Sequence, residues 1–209
     1  MKARYPQTGV FATNESARQA NQADTHLGLE RLMNSAARNP STVLLCFRLM
    51  LGSTFRLARL SDAEAIALMS RELIEAGLSG WSWDPQRVAR AIRARDTVVL
   101  VAAVQNPLVG FAIMNFGDAS AHLSLLAVKA SHQRRGIGGR MMAWLEESAL
   151  VAGIATINLE LRTNNSAARA FYRALGFRET AYIPGYYQGV ETALRMSRDI
   201  RRQTSDHIG

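Results

Sequence analysis

The stretch Leu123 to Arg140, LSLLAVKASHQRRGIGGR, constrains this chain more than any other. It reads as an apolar strand, a basic loop, closely spaced glycines and then a helix. Ile137, Met141, Trp144, Leu145, Ser148 and Ala152 follow the spacing of one helix face, which puts the glycines at a helix N-terminus. A helix start exposes unpaired backbone N–H groups and the positive end of the macrodipole, and both attract anions. Gly136, Gly138 and Gly139 let backbone approach a ligand where a side chain would block it. Arg134 and Arg135 add fixed positive charge, so the loop reads as a pyrophosphate cradle.

Two common phosphate loops fit this stretch poorly. In the dinucleotide fingerprint G-x-G-x-x-G the third glycine is replaced here by Met141. Its acidic residue would be Glu160, which stands in the middle of a strand pattern rather than at its end. A P-loop needs a Gly-Lys-Ser/Thr ending that is absent. The strand before the loop carries a further signal. Leu123 and Leu125 alternate with His122 and Ser124, then Leu126 and Val128 take the opposite parity. That slip predicts a β-bulge between Leu125 and Leu126, the alternative being a fully buried strand with no bulge.

Composition sets the outer bounds. With 48% hydrophobic and 20% charged residues, the chain is an ordinary globular one, long enough for one domain with a substantial core plus an appendage. The net charge of +8 fits nucleic acid, an anionic cofactor or solubility. The charge is dispersed and no basic block interleaves with aromatics, so no specific nucleic-acid binding is expected. Cys46 is the only cysteine, which excludes an intrachain disulfide. His26, His122, His132 and His207 lack metal-ligand spacing, and no metal is expected. The start of the chain has no apolar signal-peptide core and no run reaches membrane-spanning length. A cytoplasmic protein without a membrane partner is the expectation.

Along the chain, residues 1–52 read as an N-terminal extension, polar at first, with a helix expected over 24–38 and an apolar segment over 43–51. The domain is expected over 53–198 and a basic, frayed tail over 199–209. Thr54 to Leu60 reads as a strand, and Ser61-Asp62-Ala63-Glu64 as a capping box opening a helix. A loop with Trp81 and Trp83 leads to Asp84-Pro85, an N-cap followed by N1. Thr97 to Val104 and Leu108 to Phe116 read as antiparallel strands. Ala155 to Arg162 alternates, with Glu160 on the polar face. Asn165 caps a helix that Gly176 ends, and Phe177 to Ile183 and Val190 to Met196 are strands about a turn at 184–189.

Several segments carry a family resemblance in addition. Gln133-Arg134-Arg135-Gly136-Ile137-Gly138 resembles the Q/R-x-x-G-x-G/A motif of the GCN5-related N-acetyltransferases, whose loop holds the pyrophosphate of coenzyme A. Asn165 to Phe177 resembles that family's N-x-x-A-x-x-x-Y-x-x-x-G-F helix. Leu159-Glu160-Leu161-Arg162 resembles the L-E-V-R segment of the bacterial ribosomal-protein-alanine N-acetyltransferases. The resemblance covers about Thr54 to Met196 and implies an α/β (α+β) fold, with a mixed, mostly antiparallel sheet, a bulged fourth strand and flanking helices. It implies acetyl-CoA as cofactor, held by Leu126, Ala127 and Val128 of the bulged strand, by Gln133 to Gly138 and by Asn165.

Acetyl transfer from a thioester to an amine requires deprotonating the amine, stabilising an oxyanion and protonating a thiolate. The resemblance implies Glu160 as proton acceptor and Tyr172 as the acid. An exposed glutamate has a pKa near 4.3, so Glu160 would need a raised pKa or an intervening water. Cys46 lies outside the domain, which implies direct attack on the thioester in a ternary complex. Gly185-Tyr186-Tyr187-Gln188-Gly189 resembles the tyrosine-bearing turn of the ribosomal-protein-alanine enzymes, and Trp81 and Trp83 fall near their aromatic loop. Tyr186, Tyr187 and Trp83 are therefore the expected acceptor contacts. The expected acceptor is a primary amine, a polypeptide α-amine and foremost that of a ribosomal protein. A small-molecule amine and a non-catalytic acyl-CoA-binding module are the alternatives.

Overall fold

The computed structural model describes residues 52–78, 80–104 and 106–201. The expected helix at 24–38, the apolar segment at 43–51 and the chain beyond 201 lie outside the described residues. Seven strands form one sheet: β1 (Thr54–Leu57), β2 (Thr97–Ala103), β3 (Leu108–Phe116), β4 (Ala121–Val128), β5 (Thr156–Arg162), β6 (Arg178–Tyr187) and β7 (Glu191–Asp199). Their spatial order is β1-β2-β3-β4-β5-β7-β6. Every neighbouring pair is antiparallel except β4 and β5, which run parallel. A parallel pair needs a crossover, and the helix opened by the glycine loop supplies it.

Helices α1 (Ala63–Leu73) and α2 (Pro85–Arg93) cover one face, and α3 (Ile137–Val151) and α4 (Ser166–Ala174) the other. Ile66, Ala67, Met69 and Val88 pack on Val99, Val101, Phe111 and Ile113 beneath α1 and α2. Met141, Met142, Leu145 and Tyr172 pack on Val98, Leu100, Ala112 and Met114 on the opposite side. With helices on both faces, β2 is buried at all seven positions, which is why its sequence is an unbroken apolar run.

The expected helix signals hold in part. Asp84 Oδ1 accepts from Arg87 N at 2.7 Å with Pro85 at the first helical position. Asn165 Oδ1 accepts from Ala168 N at 3.0 Å, and Gly176 ends α4 at φ 84°. The Ser61/Glu64 capping box does not form. Asp62 takes the place instead, accepting from Arg59 N at 2.6 Å and binding the Arg56 guanidinium at 2.7 and 3.0 Å. β6 extends to Tyr187, and the connection contracts to Gln188, Gly189 and Val190, with Gln188 and Gly189 at positive φ (54° and 76°). Val190 N donates to Tyr187 O at 3.0 Å, so Gln188 and Gly189 are the central residues of a tight turn, and positive φ at both gives it a twist that matches the strands.

Order continues past the expected end of the domain at 198, since β7 runs through Asp199. Arg198 belongs to β7, is 8% exposed and bonds Glu146 of α3 at 2.5 Å, while Ile200 is 4% exposed. Burial pushes the Glu146 carboxyl up, and the Arg198 guanidinium opposes that push. Removing one partner leaves a buried charge uncompensated, so Arg198→Ala should cost about 3 kcal/mol in urea unfolding. The apolar double variant Glu146→Leu/Arg198→Met should recover most of that loss. A loss below about 1 kcal/mol for the single variant would contradict the buried pair.

Candidate functional site

The site begins where β4 and β5 part. They pair only over Ala121–Leu123 against Ile157–Leu159, although β4 continues to Val128 and β5 to Arg162. Beyond those three pairs the edge of β4 that faces away from β3 has no strand partner among the described residues. The bulge that turns β4 lies at Ser124, because Ile113 opposes Leu125 while Met114 opposes Leu123. It stands one position before the expected place between Leu125 and Leu126. Burial alternates unbroken through the strand, but the buried residues change sides. Ala121 and Leu123 pack under α3 and α4, whereas Leu125 and Ala127 pack under α1 and α2. Leu126 and Val128 pack on the α3/α4 side, the parity change that the sequence registered one position late.

The open end of this wedge meets the glycine loop. Gly136 is the N-cap of α3 at φ 76°, no side chain caps the helix, and no acidic residue lies in its first turn. α2 and α4, by contrast, are capped by Asp84 and Asn165. The N-terminus of α3 is thus left for an anion. Arg134, at φ 60°, is one of two non-glycine residues in the left-handed region among the described residues, and Arg134 and Arg135 are exposed. A Cβ on Gly138 would meet the Phe171 ring at 3.3 Å and Leu126 Cδ2 at 3.9 Å. Gly138 therefore lets α3, α4 and β4 close together, whereas a Cβ on Gly139 would meet nothing within 4 Å. The Gln133 amide donates to Val128 O at 2.9 Å and fixes the loop to the end of β4. The Asn165 carbonyl is occupied as the α4 cap. A cradle of backbone donors beside an unpaired strand edge fits an elongated ligand that carries a pyrophosphate.

Glu160 sits on the other side of the wedge, its side chain 5% exposed. It accepts from Arg195 Nε at 2.7 Å and from the Tyr186 hydroxyl at 3.2 Å, and it meets His122 Nε2 at 2.6 Å. Burial pushes the carboxyl up, but the hydrogen bonds to His122 and Arg195 prevail and hold it at about 2. The raised value that direct proton abstraction by this carboxylate would need is therefore absent. Its ionisation favours the folded state at neutral pH, a contribution that fades as pH falls from the ordinary 4.5 through about 2.

Tyr172 is 7% exposed, edge-on to Phe171 and Phe177 with centroids 5.1 and 5.5 Å away. Burial, and secondarily Tyr187, push its hydroxyl well above the ordinary phenol value. Tyr186 and Tyr187 stack edge-on at 5.0 Å at the end of β6, beside Glu160. Arg162 ties this corner together, donating to Ala76 O at 3.0 Å, facing Glu191 at 3.3 Å and lying over the Tyr187 ring at 5.8 Å.

Trp83 stacks under Arg87 at 4.2 Å and lines a hollow of about 330 Å³ with Arg90, Asp96, Thr97, Asn115 and Ser124. Tyr186 and Tyr187 do not line this hollow. Glu75 and His122 are among the organising residues that escaped the sequence reading. Glu75, 6% exposed, accepts from Ser82 N at 2.6 Å and Trp83 N at 3.1 Å and so shapes the tryptophan loop. His122 had only its place on the polar side of β4 to distinguish it, and its contact with Glu160 depends on the β4–β5 register.

The model of the family described as Acetyltransferase (GNAT) domain matches residues 95–179. A [ribosomal protein bS18]-alanine N-acetyltransferase of Salmonella typhimurium is 36% identical over 96 residues, which are 44% of this chain and 65% of that protein. The chain thus spans just under two thirds of that relative's length. The N-alpha-acetyltransferase RimI of Mycobacterium tuberculosis is 31% identical over 132 residues, 61% of this chain and 80% of the relative. The crystal structure of the ribosomal-protein-S18-alanine N-acetyltransferase from Escherichia coli superposes with TM-score 0.61 at 26% identity, covering 71% of this chain and 94% of that one. A helix-opening glycine loop beside a split parallel pair, together with these matches, places the chain in the GNAT acetyltransferase family.

Proposed function

We propose that this chain is an acetyl-CoA-dependent N-acetyltransferase acting on the N-terminal α-amine of a polypeptide, with a ribosomal protein as the first candidate. The observation that carries this reading is the wedge itself, with an open helix N-terminus at one side and the ionised, buried Glu160 at the other. The N–H groups of the first turn of α3, with Arg134 and Arg135, would hold the pyrophosphate. The unpaired edge over Leu126, Ala127 and Val128 would hold the extended arm. When bound, acetyl-CoA supplies an acyl group activated as a thioester.

The remaining work falls to residues of this chain. Glu160 provides the negative charge that draws a cationic amine into the cleft. Tyr172 keeps its hydroxyl proton at any working pH and is a loaded donor on the α4 side. Tyr186 and Tyr187 wall the acceptor side, and Trp83 lines the adjoining hollow. Cys46 is the only cysteine of the chain, so no thiol stands on the strands that form the wedge, which favours direct attack over an acyl-enzyme route. The names of the Salmonella and Mycobacterium relatives support an α-amine acceptor. An α-amine, with a pKa near 8, also yields its proton more readily than a lysine near 10.4.

Thiol release should be fastest with alanine-starting peptides when these are set against polyamines, aminoglycosides and free amino acids. Preference for any small amine over every peptide would overturn the acceptor class. Tyr172→Phe should lower kcat by about 10²–10⁴-fold while acetyl-CoA affinity by calorimetry changes little. Turnover equal to that of the unaltered protein would remove Tyr172 from the chemistry.

A further inference from the structure

One unbroken row of polar side chains crosses the sheet beside the wedge. It runs Glu160, His122, Ser124, Asn115, Thr97, Asp96, drawn from β5, β4, β3 and the start of β2. Glu160 Oε2 and His122 Nε2 are 2.6 Å apart, and His122 Nδ1 and Ser124 Oγ 3.3 Å apart. The Ser124 hydroxyl donates to Asn115 Oδ1 at 2.7 Å. Asn115 Nδ2 donates to Thr97 Oγ1 at 2.8 Å, and Thr97 donates to Asp96 Oδ1 at 3.3 Å.

The directions of these bonds decide what the imidazole does. Ser124 has one hydroxyl proton, spends it on Asn115 and can only accept from His122. Glu160, ionised, can also only accept. His122 therefore stands between two acceptors. Neutral imidazole carries a single N–H and satisfies one of them, the charged carboxylate first, so that Nδ1 keeps a bare lone pair facing Ser124. Imidazolium carries two N–H groups and satisfies both. The row is one proton short until His122 takes one up.

Access agrees with that direction of transfer. The Glu160 side chain is 5% exposed and that of His122 35%. Ser124, which Nδ1 faces, lines the hollow shared with Trp83, Asn115 and Thr97. An incoming ammonium meets the imidazole before it meets the carboxylate. The titratable and charged groups around the imidazole are Glu160 on β5, Arg195 of β7 and the neutral Tyr186 of β6 behind that carboxylate, Asp96 at the far end of the row, and Arg87 and Arg90 of α2 across the hollow.

We propose that His122 is the catalytic proton acceptor for the acceptor amine, with Glu160 as its positioning residue and Ser124 as the acceptor that completes the imidazolium. This rests on the N-acetyltransferase reading above and names the group that moves the proton. In the step, an N–H bond of the ammonium breaks and its electron pair stays on nitrogen as the nucleophile. The proton forms a new N–H bond at His122 Nδ1, and water in the hollow later removes it. Glu160 stays ionised throughout.

Two measurements test this, and the first needs no turnover. In ¹⁵N-histidine NMR of the full chain, neutral His122 should be protonated at Nε2, with Nδ1 taking up the proton on acidification. Glu160→Gln should weaken that tautomer preference. A neutral His122 protonated at Nδ1 overturns the proposal whether or not the protein acetylates anything. In the second, His122→Ala should lower kcat by about 10²–10³-fold. Acetyl-CoA affinity should stay unchanged, and added imidazole should restore part of the rate. His122→Gln should remove one ascending limb from the pH profile of kcat/KM, leaving the limb that follows the pKa of the acceptor amine. A loss uniform across pH, or no rescue by imidazole, would make His122 merely structural and overturn the assignment. Absence of acetylation by the unaltered protein on every amine class would instead overturn the function reading, while the NMR result still decides the tautomer.

Discussion

Everything in the proposed chemistry depends on two neighbouring strands ceasing to pair. β4 and β5 form the one parallel contact in the described sheet, hold it for three residues and then diverge. Parallel strands require a long connection, and that connection is α3, whose uncapped first turn is delivered to the mouth of the split. The bulge at Ser124 redirects β4 at the same level. An unpaired strand edge, an open helix end and a polar row are thus consequences of one local departure from regular pairing.

The second constraint is charge inside that opening. A carboxylate as buried as Glu160 stays ionised only because Arg195 and His122 meet it from two other strands. The arrangement stabilises the anion so well that it makes a poor proton acceptor in its own right. The same bonds make it a strong partner for an imidazolium. Burial acts oppositely on Tyr172, keeping a neutral phenol neutral. One buried group is therefore held as an anion and the other held protonated.

Much of this was legible in the chain because it is local. The glycine loop, the Asp84-Pro85 start of α2 and the Asn165-to-Gly176 frame of α4 are set by backbone requirements within a few residues. The bulge was legible to within one residue, since the change of side is carried by apolar residues on both sides of Ser124. What escaped is long-range. The partners of Glu160 stand 38 and 35 residues away in sequence, and no periodicity announces that His122 and Arg195 converge on it. The ion pair of Arg198 was not legible because its counter-ion, Glu146, lies on a different element. Likewise Asp62 displaced the expected Ser61/Glu64 box by serving Arg56 as well as the backbone.

The central claim is that the wedge between β4 and β5 is the cofactor site. Amide NMR of the full chain during an acetyl-CoA titration tests it most directly. The largest saturable shifts should fall on Leu126 to Val128 and on Ile137, Gly138 and Gly139, with coenzyme A reproducing those of the loop. Saturable shifts confined to the hollow around Trp83, or none in the first turn of α3, would contradict the account.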